Sequence, residues 1–199
     1  MSRLTGKIAL VTGASKGIGA GIAKNLGAEG ATVVVNYATS REGANRTVAE
    51  IVKTGGQAWA VQGDFSRPEE ITRTFAEIEK KHGKLDVLVN NAGVAGFGPL
   101  EDVTTEDFHR LFNLNVLGLL LSTQAGVKLM SEGGSVINIG SLAALMPSAY
   151  GSIYSASKAA VNNLSICNPL GHCRESTGRG GPTAGYERNN CRSSEHRET

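Results

Sequence analysis

Lys7-Ile8-Ala9-Leu10-Val11-Thr12-Gly13-Ala14-Ser15-Lys16-Gly17-Ile18-Gly19 is the stretch whose reading decides the fold. The run to Val11 is short and β-rich, bounded by Gly6 and by Thr12-Gly13. Behind Gly19 an Ala-rich helical pattern continues to about Glu29. The order is strand, glycine turn, helix. The first glycine permits a tight turn, and the later ones let backbone approach a pyrophosphate and let the helix pack on the strand. The helix start offers unpaired N–H groups and a positive dipole end to phosphates. A plain strand-to-helix turn also favours glycine, so the turn needs support from elsewhere. A mononucleotide P-loop is disfavoured, because Lys16 precedes Gly17 and no Gly-Lys-Ser/Thr follows.

The second strand, Ala31 to Asn36, ends in Asn36-Tyr37. A dinucleotide site that takes NAD carries an acid here to bind the ribose 2′-hydroxyl. No acid comes before Glu42, whereas Lys16, Ser40 and Arg41 lie close. That set suits a 2′-phosphate, so NADP is expected over NAD, with Asn36 in the acid's place. Arg41 to Lys53 reads as a helix and Gln57 to Val61 as a third strand. Asp64 follows that strand, where it meets the adenine or caps the next turn. Pro68 to His82 is a helix with acids at its start, stopped by Gly83.

Leu85 to Val89 is a fourth strand, ending in Asn90-Asn91-Ala92-Gly93. Thr104 or Thr105 caps one long helix that runs to Gly133-Gly134. Asn113 and Asn115 lie within its apolar pattern, and a buried Asn needs partners. At least one is expected in a polar network. Ser135 to Gly140 reads as a buried fifth strand leading to Ser141. Tyr154 and Lys158 are four apart and share a helix face. A hydroxyl at a strand end facing a phenol and an ammonium suits proton transfer at a carbonyl or alcohol oxygen. A free phenol titrates at about 10, and a nearby ammonium favours the phenolate.

Strands alternating with helices argue an α/β fold with a doubly wound parallel sheet. The chain has 199 residues, enough for a substantial core. A net charge of +2 without a Lys/Arg cluster gives no nucleic-acid footprint. The apolar runs at Val11 and at Val116 to Leu121 are too short for a signal core or a membrane span, so a cytoplasmic protein is expected. Cys167, His172, Cys173, Cys191 and His196 depart from structural zinc spacings, and no metal is expected.

Taken together, Thr12-Gly13-Ala14-Ser15-Lys16-Gly17-Ile18-Gly19, Asn90-Asn91-Ala92-Gly93, Asn115-Val116-Leu117-Gly118, Ser141 and Tyr154-Ser155-Ala156-Ser157-Lys158 resemble the short-chain dehydrogenase/reductase family from residue 4 to 166. The resemblance implies a Rossmann-type fold and hydride transfer between NADP(H) and a carbonyl or secondary alcohol. It implies that Tyr154 is the acid/base and that Ser141 bonds the reacting oxygen. By it Lys158 favours the phenolate and holds the nicotinamide ribose, and Asn115 supports a water relay. Gly13, Ser15, Lys16, Gly17, Ile18 and Gly19 would hold the phosphates, with Asn91, Ala92 and Gly93 on the adenosine side. The start of the chain looks most like 3-oxoacyl-carrier-protein reductases and related sugar-alcohol and glucose dehydrogenases. The substrate would then be a small carbonyl or alcohol, or an acyl thioester. Relatives form homodimers or homotetramers. A sugar-nucleotide epimerase shares the Tyr/Lys pair but usually carries a longer substrate domain.

The resemblance stops at Ile166. Residues 168–199 contain no Val, Ile, Phe, Met or Trp. They are expected to be a disordered, aberrant tail after a dinucleotide-binding and catalytic domain at 1–167, with the sixth and seventh strands missing. A chain of that kind is expected to present an apolar edge near Ile137, to dissolve poorly, and to turn over little. The alternative function is therefore a truncated dinucleotide-binding remnant without activity.

Overall fold

The computed structural model describes residues 2–167. The expected tail at 168–199, with its cysteines and histidines, lies outside the described residues, as does the side chain of Cys167. Among the described residues, five strands and six α-helices follow in order: β1 Ile8–Val11, α1 Gly17–Ala28, β2 Thr32–Tyr37, α2 Arg41–Lys53, β3 Gln57–Gln62, α3 Pro68–His82, β4 Val87–Asn90, α4 Thr105–Phe112, α5 Leu119–Leu129, β5 Ser135–Asn138 and α6 Ser152–Cys167. All pairings are parallel, and the sheet runs β3-β2-β1-β4-β5. This is the doubly wound Rossmann-type α/β fold that the alternation implies.

Successive side chains along a strand point to opposite faces, and helices cover both. Ala9, Val11, Val33 and Val35 therefore pack with Ala23, Ala44 and Ile51 of α1 and α2. Leu10, Val34, Val61 and Leu88 pack on the other face with Phe65, Ile71, Phe75 and Ile78. Strand order reverses at β1, which lies between β2 and β4. The crevice beyond the carboxyl ends of the strands at that point is where open α/β sheets bind ligands.

Two expectations need correction. The long helix is broken by one stretch of π-helix, Asn113–Gly118, between α4 and α5. Gly118 lies against the Phe65 carbonyl, and Asn115 turns its amide toward Val94, so regular α winding gives way there. Such π segments are frequent at functional sites. Thr104 is the cap at the start of α4, accepting from Asp107 N at 3.1 Å. The second concerns β5: its local pattern reads as a buried strand, but among the described residues it is the edge strand, with Ile137 44% exposed, which is the apolar edge expected near Ile137. No helix among the described residues is long and apolar enough to cross a membrane.

Candidate active site

The glycine turn sits at the carboxyl end of β1 and is braced from three sides. Gly13 has φ +63, and a Cβ there would meet Ala92 Cα at 3.0 Å. A Cβ on Gly19 would come within 2.7 Å of Gly13 O, so the helix start closes tightly on the turn. Asn91 Nδ2 donates to Thr12 O at 2.8 Å and to Gly13 O at 3.2 Å. Thr12 Oγ1 accepts from Asn91 N at 2.9 Å and from Ala92 N at 2.8 Å. From the α2 side, Thr47 Oγ1 donates to Ala14 O at 3.1 Å. A Cβ on Gly43 would lie 2.6 Å from Ser15 O, so α2 can approach only because that residue is glycine.

Asn36 is placed differently from the expectation. It is 1% exposed. Its Oδ1 accepts from Gly13 N at 3.1 Å, and its Nδ2 donates to Gly63 O at 3.0 Å. The amide ties β2 to the glycine turn and to the end of β3, and it presents nothing to a ribose. Asp64 Oδ1 accepts from Ser66 N at 2.9 Å and from Ser66 Oγ at 2.7 Å, so it caps the next turn. That is one of the two readings its position leaves open.

Lys16, Gly17 and Ile18 are exposed, and Ser15 is half-buried. No side chain caps the start of α1, and its first turn holds no acid. Ser40 and Arg41, at the start of α2, are exposed as well. Among the described residues neither Lys16 nor Arg41 forms an ion pair. An open helix N-terminus with two free cations beside it is an anion-binding arrangement.

Backbone and hydrogen bonds together link this turn to the second cluster. Ala92, Gly93 and Val94 follow Asn91 in the chain. Val94 N donates to Asn115 Oδ1, and Asn115 Nδ2 donates to Val94 O, each at 2.9 Å. Asn115 Nδ2 also donates to Ser157 Oγ at 3.0 Å, which reaches α6. Ser157 Oγ in turn donates to Tyr154 O at 2.7 Å. One turn on, Lys158 is 7% exposed and donates from Nζ to Ile139 O at 2.8 Å. Burial holds its ammonium below the ordinary lysine value. A Cβ on Gly93 would come within 3.1 Å of Asn115 Oδ1, so the glycine leaves room for the Asn115 amide. An ammonium has three donors, and one is used here among the described residues.

Ser141 ends the segment after β5 and begins a 3₁₀ turn, Leu142–Ala144, against which α6 packs. Its Oγ accepts from Ala143 N at 3.2 Å. Tyr154 is half-buried with its ring 5.8 Å from that of Phe97. Thus β5, α6 and the π segment bring Ser141, Tyr154, Lys158 and Asn115 to the same end of the sheet as the glycine turn. Thr12, Gly43, Thr47, Phe97 and Ser157 were not singled out for roles in the sequence. Thr12 stands inside the quoted motif, and a hydroxyl at a strand end is a usable signal. Nothing local marks Gly43, Thr47 or Phe97, whose partners are 33 residues distant for Thr47 and in another element for Phe97.

Comparison with known proteins gives the same picture. The family model described as short chain dehydrogenase matches residues 7–168. An uncharacterized oxidoreductase of Methylorubrum extorquens is 51% identical over 167 residues, covering 83% of this chain and 66% of the relative. Versicolorin reductase 1 of Aspergillus parasiticus is 43% identical over 166 residues, covering 83% and 63%. The chain thus spans just under two thirds of the length of these relatives. A crystal structure of a short-chain dehydrogenase from Burkholderia cenocepacia in complex with NADP superposes with a TM-score of 0.79 at 43% identity, covering 82% of this chain and 67% of that one. With the glycine turn, the Asn91 brace and the Ser141/Tyr154/Lys158 cluster at one end of the sheet, and with more than half its length matched, the chain belongs to the short-chain dehydrogenase family.

Proposed function

We propose that this chain is an NADP(H)-dependent oxidoreductase acting between a carbonyl and a secondary alcohol. The observation that carries the reading is the linkage from the glycine turn by hydrogen bonds to Asn91, along the backbone to Val94, and by hydrogen bonds through Asn115 and Ser157 to the helix bearing Tyr154 and Lys158. It supports reading the glycine turn and the Tyr154/Lys158 helix as parts of one site. NADPH, when bound, supplies the hydride for the carbonyl carbon.

Gly13, Ser15, Gly17, Ile18 and Gly19 hold the pyrophosphate at the open start of α1. Lys16, Ser40 and Arg41 take the 2′-phosphate, which their exposure and lack of acidic partners favour. The Burkholderia relative's NADP complex supports the same choice. Asn36 acts indirectly, by holding Gly13. Asn91, Ala92 and Gly93 flank the adenosine side. Lys158 turns its remaining N–H groups to the ribose hydroxyls, and Asn115 holds Ser157 and the Val94 backbone in place for a water relay. Tyr154 gives its hydroxyl proton to the substrate oxygen as negative charge grows there, and Ser141 donates a hydrogen bond to the same atom. The oxygen gains one proton, the carbon one hydride, and a secondary alcohol results.

A 3-oxoacyl thioester is one substrate of this kind, suggested by the resemblance of the chain's start. The test is a fluorescence titration with NADPH followed by turnover read as loss of the nicotinamide absorbance. Binding is the expected result, with turnover low in a chain that spans under two thirds of its relatives' length. A chain that binds NADPH and reduces no carbonyl is a remnant, and one that binds no NADPH defeats the reading.

A further inference from the structure

The start of α2 touches the glycine turn at two residues, and one of them does so through a hydroxyl. Ser40, at the cap of α2, and Arg41, its first residue, are exposed. Gly43 lies between them and the turn: a Cβ there would meet Ser15 O at 2.6 Å and Ser40 Oγ at 2.8 Å. One helical turn further, Thr47 is buried, with its Oγ1 3.1 Å from Ala14 O and 3.2 Å from Gly43 O. A hydroxyl has one proton, so the two carbonyls share it. Bonding the carbonyl four residues back is ordinary for a threonine within a helix. Reaching Ala14, in another element, is not. Among the described residues this is the one hydrogen bond between α2 and the glycine turn.

The far half of α2 is held in another way. Ile51 is buried, and a Cβ on Gly27 of α1 would meet its Cγ2 at 2.6 Å. Close packing locks α2 to α1 there, whereas the near half is held by the small side chain of Ala44 and by the Thr47 hydroxyl. The turn has further supports of its own. Asn91 Nδ2 donates to Thr12 O and Gly13 O, Asn36 Oδ1 accepts from Gly13 N, and Asn36 O accepts from Ala14 N at 2.8 Å. Loss of the Thr47 bond therefore leaves the turn braced and frees the start of α2 to shift against it, about the Ile51 contact.

We propose that Thr47 is a positioning residue for cofactor choice. Its hydroxyl fixes the spacing between the glycine turn, which takes the pyrophosphate, and the start of α2, where Ser40 and Arg41 take the 2′-phosphate. This rests on the oxidoreductase reading above. A ligand gripped at two linked points binds less tightly when the link is loose, because the two points must then be ordered on binding. NADPH is gripped at both points. NADH lacks the 2′-phosphate and uses only the first. The effect of Thr47 is bounded by what the 2′-phosphate contact itself contributes.

Fluorescence titrations of the 199-residue chain and of Thr47→Val, each with NADPH and with NADH, test this. Valine keeps the shape and drops the hydroxyl. The NADPH dissociation constant should rise about fivefold, within the range of one charge-assisted phosphate bond, and the NADH constant less than about twofold. Thr47→Ser keeps the hydroxyl and should restore the ratio of the two constants. In an Arg41→Ala background, Thr47→Val should move that ratio little further, because the group it positions is gone. A urea melt checks that each variant is folded, and Thr47→Ala carries the same test if the valine variant is not. An unchanged ratio, or a changed one that serine does not restore, overturns the proposal and leaves Thr47 as packing. So does an equal fall in the ratio with and without Arg41. An unaltered chain that binds no NADPH defeats the oxidoreductase reading, and this proposal falls with it.

Discussion

The sheet has two edges, and they are finished differently. At β3, Trp59 Nε1 donates to His82 Nε2 at 3.0 Å, and Lys81 Nζ lies 3.9 Å over the indole. Gln62, at the end of the same strand, accepts from Arg73 at 2.6 Å and donates to Glu70 at 3.2 Å. Charged and polar groups cover this edge, a usual defence against strand addition. At β5, Ile137 faces outward, and the chain goes straight on to Ser141, Leu142, Leu145 and Met146, apolar and exposed apart from the serine. Both are edges of one parallel sheet, so backbone pairing does not explain the contrast. The β3 edge is completed by the described residues themselves, whereas the β5 flank offers reactive groups and apolar surface to something else. Changes on the β5 flank should therefore reach turnover before stability, and changes on the β3 side stability before turnover.

The largest effect tests the first half of that statement. Tyr154→Phe keeps the ring beside Phe97 and removes only the hydroxyl. Turnover should fall by about 10²–10⁴-fold, the usual weight of a positioned acid/base, with NADPH affinity and the urea midpoint nearly unchanged. A variant that keeps most of its turnover removes Tyr154 from the acid/base role and with it the meaning given to the β5 flank.

Asn36→Asp comes next, and it acts on the interior between the edges. The carboxylate keeps the contact with Gly13 N but cannot donate to Gly63 O, and it sits buried without a cation. Losing that donor and burying a charge should cost about 3 kcal/mol, read as a lower urea midpoint. NADPH and NADH binding should weaken together, because the whole glycine turn loosens. A simple switch of preference toward NADH would show that residue 36 reads the ribose directly.

Much of this was legible in the sequence, for identifiable reasons. The strand–glycine turn–helix order, the helix starts at Arg41 and Pro68 and the stop at Gly83 depend on local chemistry, and the structure has them at those residues. Tyr154 and Lys158 share a helix because their spacing is a local property. The direction of a side chain at a strand end is not local. Asn36 looks like a ribose reader by position, yet its amide is drawn inward by two backbone groups, one 23 and one 27 residues away. The π segment was equally hidden, because it depends on Gly118 meeting the Phe65 carbonyl and on Asn115 reaching Val94. The exposed edge at Ile137 was legible only through the resemblance, because the pattern of a single strand does not state strand order.

Arg41→Ala should have a smaller, selective effect. Arg41 is exposed and forms no ion pair among the described residues, so its removal should leave stability as it was. One charge-assisted bond to a phosphate accounts for about a tenfold rise in the NADPH dissociation constant, with NADH unaffected. The two titrations side by side check it. Equal loss for both cofactors would mean that the start of α2 shapes the turn instead of reading the phosphate.

The smallest effect concerns the β3 edge and its pH dependence. Burial first, and the Lys81 charge second, hold His82 below the ordinary histidine value. The folded chain thus binds this proton less readily than the unfolded chain does. The stability that neutral His82 contributes is complete above about 6.5, the free histidine value, and is lost as pH falls through the lower folded value. Protonation also removes the acceptor that Trp59 Nε1 uses and sets a second cation beside Lys81. Trp59 is the single tryptophan, so its emission reports this edge alone. A reversible change in emission is expected as pH drops below about 6.5, together with a small fall in the urea midpoint. His82→Gln, which cannot titrate, should flatten both. Because this edge carries no reacting group, NADPH affinity should not follow the emission change. If it does follow, the two edges are coupled, and the β3 side is more than a finished border.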